Sequence, residues 1–150
     1  MTNDEILLYV VVPISRSYDI GIVRKAVEHV LSKHFRRLSI STWQLSDYSP
    51  DAVSITYEVK EDNDAILVTV KAVLNMSNIQ GSVDKVCTLL YNRLKLFVHE
   101  LTDDPDFSTI VVTPHDVNTE SLGNIERLSK RVYEVYDVES LIKLIKMFIK

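Results

Sequence analysis

At 150 residues, 46% hydrophobic and 25% charged, the chain has the length and apolar content of one ordinary globular domain, which excludes disordered, collagen-like and disulfide-framework classes. A formal net charge of −4 excludes a protein whose whole surface coats nucleic acid, while leaving room for a local basic face. A single cysteine, Cys87, makes neither an internal disulfide nor a thiolate cage, and three scattered glycines, Gly21, Gly81 and Gly123, form no phosphate-cradling loop, so P-loop hydrolysis and dinucleotide redox chemistry are excluded too.

Residues 6–14 form an apolar, β-rich run without clean alternation, the pattern of a strand covered on both faces. The run contains Pro13 and is too short to cross a bilayer as a helix. It lacks a basic flank and a small-residue cleavage site, so no signal peptide is expected and a cytoplasmic location is. Ser17 or Asp19 then offers an N-cap to a helix in which Ile20, Val23, Val27, Val30, Leu31 and His34 recur at helical spacing, to about Phe35. Its outer stripe carries Arg24, Lys25, Glu28, His29, Ser32, Lys33 and Arg36.

Residues 38–45 alternate Leu38, Ile40 and Thr42 against Ser39, Ser41 and Trp43, which predicts a strand before a turn-rich stretch at 46–51. Residues 52–60 and 65–75 predict a β-hairpin joined by Glu61, Asp62, Asn63 and Asp64. Pairing Lys60 with Ala65 puts Val53, Ile55, Tyr57 and Val59 on one face with Ile66, Val68, Val70 and Ala72. The other face then collects Ser54, Thr56, Glu58, Lys60, Thr69 and Lys71, with Leu67 and Val73 as apolar exceptions, and reads as solvated.

Ser82 caps a second helix whose inner stripe is Val83, Val86, Cys87, Leu90, Leu94, Phe97, Val98 and Leu101, widened by Leu89 and Leu96. So broad a stripe predicts contact with more than the sheet, either the C-terminal helix or a second protomer. Residues 108–113 predict a short buried strand stopped at Pro114. A helix capped by Thr119 follows, carrying Leu122, Ile125, Leu128 and Val132, with Glu120 in its first turn. Residues 132–136 predict a further strand, and Asp137 caps a last helix through Leu141, Ile142, Ile145, Phe148 and Ile149.

The predicted fold is mixed α+β, a single domain with a central mixed β-sheet in the order β-α-β-β-β-α-β-α-β-α and helices packed on the sheet. The stretch Thr109-Ile110-Val111-Val112-Thr113-Pro114, the helix from Thr119, then Arg131-Val132-Tyr133-Glu134-Val135-Tyr136-Asp137 and the helix Val138-Glu139-Ser140-Leu141-Ile142 resembles the end of the restriction-endonuclease-like fold, and within it the Mrr-like branch. Upstream, helix, strand, strand, strand, helix follows the same core order.

That resemblance implies a site of two carboxylates holding Mg²⁺ and a lysine serving the attacking water, written PD followed by (D/E)xK. Two versions are legible. Pro50-Asp51 with Glu58-Val59-Lys60 matches the letters, yet its six-residue spacer keeps everything on one strand. Pro50-Asp51 with Thr69-Val70-Lys71 is better spaced, but a neutral Thr69 stands where the family has an acid, which weakens divalent-metal binding. In the register above, Ser54 faces Lys71 and Thr56 faces Thr69, leaving Asp51 about 10 to 16 Å along the strand. Glu28 or Glu58 is a candidate migrated acid.

Other constellations are weaker. His29 and His34 lie about 140° apart around a helix and share no metal; His99 and His115 lack a partner at ligand spacing. Cys87 falls on the core stripe, as an inert small hydrophobe does. Basic groups gather at Arg24, Lys25, Lys33, Arg36 and Arg37, at Arg127, Lys130 and Arg131, and at Lys143, Lys146 and Lys150, while Trp43 and Tyr48 offer either stacking surfaces or core.

The expected function is a non-catalytic binding or complex-assembly protein on an endonuclease-like scaffold, linked to nucleic-acid metabolism. One alternative is a divalent-metal-dependent nuclease with an irregular site at Asp51, Glu58 and Lys71. The other is direct DNA or RNA binding through Arg24, Lys25, Lys33, Arg36, Arg37 and Lys71. Mg²⁺ belongs to the nuclease reading alone, and no other cofactor is expected. The expected partner is a second copy or another protein, with nucleic acid as the alternative and no membrane.

Overall fold

The computed structural model describes residues 5–114 and 132–149. Strand β1, Glu5–Ile14, is the middle of the architecture. Ile6, Leu8, Val10 and Val12 point into the main core, and Leu7, Tyr9 and Val11 point into a second apolar cluster on the opposite face. Both sets are buried, which is the physical meaning of the unbroken apolar run: neither face of this strand meets water.

Helix α1 (Ile20–His34) follows, then two short strands, β2 (Arg36–Arg37) and β3 (Trp43–Gln44), the long hairpin β4 (Val53–Glu61) and β5 (Ile66–Asn75), helix α2 (Val83–Leu101), strands β6 (Thr109–Thr113) and β7 (Tyr133–Glu134), and helix α3 (Val138–Phe148). The seven strands form one sheet in the order β2-β3-β4-β5-β1-β6-β7. The mixed α+β class is as the sequence predicts. The sheet itself differs from the expected mixed one, because every pairing in it is antiparallel. The reason lies in β1: α2 carries the chain from β5 past β1 to β6, so β5 and β6 run the same way but are kept apart by the strand between them.

The three described α-helices pack on the core face of the sheet. Asp19 caps α1 by accepting from the Ile22 amide, Ser82 caps α2 from the Lys85 amide, and Asp137 forms a reciprocal capping box with Ser140 at α3. Each satisfies donors that a helix start leaves without partners. Helix α1 buries Val23, Val27, Val30 and Leu31. Helix α2 buries Val86, Cys87, Leu90, Leu94, Phe97 and Val98 of the expected stripe and Tyr91 besides, with Val83 and Leu101 at its ends half-buried, and it packs against both α1 and α3. Contact with the C-terminal helix therefore accounts for the width of its apolar face.

Four local expectations are corrected. Residues 38–42 are a loop between β2 and β3 and not part of a strand. The Arg37 guanidinium donates to the Ser39 and Ile40 carbonyls at 2.9 and 2.6 Å, and the Leu38 amide donates to the Thr42 carbonyl at 2.9 Å, so these groups have partners without a ladder. The hairpin register is shifted by two: Lys60 pairs with Leu67 and Thr56 with Lys71. Glu61 joins the strand and Ala65 joins the turn, where the Asp62 amide donates to the Ala65 carbonyl at 2.8 Å. A shift of two preserves which residues share a face, so the inward set is as expected. The outward set is not a solvated face. Ser54, Thr56, Glu58, Lys60 and Lys71 are half-buried and Thr69 is buried, because Leu67 and Val73 belong to the second cluster around Tyr9 and Val111. The expected strand at 132–136 is reduced to Tyr133–Glu134, and the helix expected from Thr119 lies outside the described residues.

Leu90 sits at the middle of the α2 stripe with no exposed surface. Leu90→Ala is expected to cost about 2–5 kcal/mol in urea denaturation, whereas Leu96→Ala, on the exposed flank of the same helix, is expected to cost less than about 1 kcal/mol. Equal losses would mean that α2 packs through a different face.

Candidate functional site

On α1, residues 24, 28 and 32 recur every four positions and therefore line one flank of the helix. That flank faces the short strands. The Tyr57 hydroxyl on β4 donates to Glu28 Oε2 at 2.5 Å, and Arg37 Nη2 on β2 donates to Glu28 Oε1 at 3.2 Å. Trp43 on β3 is fully buried; its indole N–H donates to Ser32 Oγ at 3.1 Å, and its ring meets Tyr57 edge-on at 5.8 Å. The Arg37 guanidinium lies 5.0 Å above the Trp43 ring, a cation–π contact. Arg24 Nη2 donates to the Val59 carbonyl at 3.4 Å. The Tyr57 hydroxyl, then Arg37 and Arg24, hold the Glu28 carboxyl below its ordinary range against the opposing effect of burial. Burial, followed by the neighbouring Glu28, pushes the Tyr57 hydroxyl up. The network clamps α1 to the sheet edge.

That clamp changes the meaning of the expected basic face. Arg37 is held by Glu28, and Lys33 pairs with Glu100 at 3.3 Å, which also meets His34 at 2.9 Å. Arg24 is tied to β4. Of the five basic groups expected on α1 and β2, Lys25 and Arg36 are the exposed ones without such a partner among the described residues. Lys146 pairs with Asp84 at 2.9 Å; His29 and His99 are exposed. His115, Arg127, Lys130, Arg131 and Lys150 lie outside the described residues. Trp43 is core and offers no ring to a base, and Tyr48 is half-buried. Cys87 is buried, and burial, with Asp84 nearby, pushes its thiol up to about 12, which leaves no thiolate at neutral pH.

The expected carboxylate and lysine positions are spread along the hairpin. Lys71 stands between Tyr9 of β1 and Thr56 of β4. Glu58 is opposite Thr69, diagonal to Lys71, and forms an ion pair with Lys60 at 3.3 Å. Asp51 lies in the exposed turn before β4, five residues from Thr56 and so roughly 16 Å along the strand direction. Among the described residues no three His, Cys, Asp or Glu side chains gather to hold an ion. These groups do not fit the two-carboxylate cage that the endonuclease resemblance implies.

A groove that the sequence did not signal opens on the other flank of α1. It encloses about 610 Å³ between the end of β1, the first half of α1, the β4–β5 turn and the chain leaving α2. Tyr18 and Ile22 wall it while remaining 60% and 61% exposed, and Asp64, Asp103 and Asp104 rim it. Nothing in local sequence places the acidic stretch after α2 beside Tyr18; only the tertiary fold does. Comparison with protein-family models, with curated proteins and with solved structures finds no match to this chain.

Glu28 also sets a pH response. Because its carboxyl is held low in the folded protein, its contribution is present above the unfolded value of about 4.3 and is lost as pH falls through the lower folded value. Tyr57→Phe is expected to lower stability at pH 7 by about 1 kcal/mol, and the difference from the unaltered protein is expected to shrink by pH 3. Urea midpoints at the two pH values check this, and a difference that stays constant would exclude the Glu28 pairing as its source.

Proposed function

We propose that this chain is a non-catalytic binding and complex-assembly protein of the cytoplasm, built on an endonuclease-like scaffold and linked to nucleic-acid metabolism. The observation that carries the reading is the company kept by Lys71: its cross-strand neighbours are Tyr9 and Thr56, and the candidate acids stand apart from one another along the hairpin. Phosphodiester hydrolysis of the family type needs two carboxylates on one ion beside that lysine. What supports the scaffold is the order α1, β2, β3, β4, β5, α2, in which β3, β4 and β5 are antiparallel and the two-residue β2 is one strand more than the expected core order. The link to nucleic-acid metabolism rests on that resemblance. Binding is supported by large apolar side chains left at the surface in separate groups, Tyr18 with Ile22 and Leu38 with Ile40. No helix among the described residues is long and apolar enough to cross a membrane.

The test is chemical. Purified protein incubated with supercoiled plasmid and with single-stranded DNA, in Mg²⁺ or Mn²⁺, is expected to leave both intact. Cleavage that disappears in Lys71→Ala would overturn the reading and make the chain a nuclease.

Direct nucleic-acid contact is a second reading, favoured by the exposure of Lys25 and Arg36. With about two cations available, the slope of log K against log salt is expected near −2, measured by fluorescence anisotropy with DNA and RNA oligonucleotides. A slope steeper than about −4 would mean that Lys33, Arg37 or Lys71 leaves its partners to meet phosphates.

A further inference from the structure

The loop at residues 38–42 is built to be seen. Arg37 grips the Ser39 and Ile40 carbonyls while remaining tied to Glu28 and stacked on Trp43. The Leu38 and Ser39 amides both donate to the Thr42 carbonyl. A short loop held at so many points loses little entropy when something docks on it. Yet its two large apolar side chains face solvent: Leu38 is 43% and Ile40 81% exposed. Exposed Arg36 stands just before it, while Arg37 is paired with Glu28, so the projecting surface is apolar at the tip with one available cation at the base.

The groove beside Ile22 has the opposite charge and the same apolar character. Ile14, Ile22 and Leu101 line it, three aspartates rim it, and among the described residues no lysine or arginine lines it. Its volume of about 610 Å³ exceeds what two aliphatic side chains fill, so a loop tip enters without rearranging the walls.

Loop and groove cannot meet within one molecule. The loop is anchored to the Arg24–Glu28–Ser32 flank of α1, and the groove lies on the Ile22–Ala26 flank, about 140° away around the helix axis. In the sheet, β2 and β1 are separated by β3, β4 and β5, a distance of roughly 19 Å.

We propose that this chain associates head to tail with a second copy of itself, the 38–42 loop of one molecule seated in the Ile22 groove of the next. The inference rests on the binding and assembly reading and names its partner. Because the two surfaces differ, the contact is heterologous, and it propagates into a ring or an open chain instead of stopping at a symmetric dimer. A contact of two apolar side chains and a few rim charges is small, so association is expected with a dissociation constant on the order of 0.1 mM.

Sedimentation velocity and light scattering between about 10 µM and 1 mM test it. The unaltered protein is expected to gain mass past the dimer as concentration rises. Ile40→Asp, at a fully projecting position, and the double change Asp103→Lys with Asp104→Lys, on the exposed rim, are each expected to weaken association about tenfold or more while leaving the thermal midpoint unchanged. An equimolar mixture of the two variants retains one intact loop and one intact groove, and is expected to form a one-to-one dimer that grows no further. A protein that stays monomeric to about 1 mM overturns the proposal, as does association that survives both variants or a mixture that fails to pair. None of these outcomes touches the binding reading itself, which falls on metal-dependent DNA cleavage lost in Lys71→Ala.

Discussion

The structure depends on one constraint: β1 must be hydrogen-bonded on both edges and covered on both faces. Its partners are β5 and β6, both antiparallel, and its side chains are buried on either side of the sheet. A strand in that position admits few alternatives, because a slip of one residue would exchange the main-core set Ile6, Leu8, Val10, Val12 with the Leu7, Tyr9, Val11 set and disturb both clusters at once. The register of β5 against β1 follows, and with it the register of β4 against β5. That chain of pairings puts Lys71 between Tyr9 and Thr56 and sets the surroundings of every hairpin residue that the sequence offered as chemistry.

From this frame the molecule acquires two unlike flanks of α1. One is a polar clamp, in which Glu28 joins Tyr57 and Arg37 and the guanidinium covers Trp43. The other is an open groove with an acidic rim. The clamp absorbs charge that would otherwise face solvent, and so reduces the basic surface available to phosphates. It also shapes the loop after β2, since the same Arg37 that meets Glu28 holds the loop carbonyls. A residue that looks in sequence like part of a nucleic-acid footprint is, in the fold, the brace for an apolar projection.

How much of this was legible follows from the range of each signal. The three described helices were readable because their apolar stripes, their caps at Asp19, Ser82 and Asp137, and their lengths all lie within a few residues of one another. The buried strand β1 and the inward face of the hairpin were readable for the same reason. The loop at 38–42 was not, because Leu38, Ser39, Ile40 and Ser41 alternate like a strand while the deciding donors belong to the Arg37 side chain. The hairpin register was off by two because Ala65, an apolar residue, belongs to the turn. The groove was invisible, since it joins segments as distant in sequence as Tyr18, Asp64 and Asp103. The Glu28–Tyr57 pair was equally hidden; the i, i+4 spacing of Arg24, Glu28 and Ser32 was its only trace.

Residue-resolved amide hydrogen exchange tests the central claim most directly. Residues 7–11 of β1, paired to neighbours on both edges, are predicted to exchange at the slowest rates in the protein, set by global unfolding, while the two-residue edge strand β7 exchanges far faster. Protection in β1 no greater than in β7 would contradict the account, because it would make β1 an edge of the sheet and leave the register around Lys71 without its anchor.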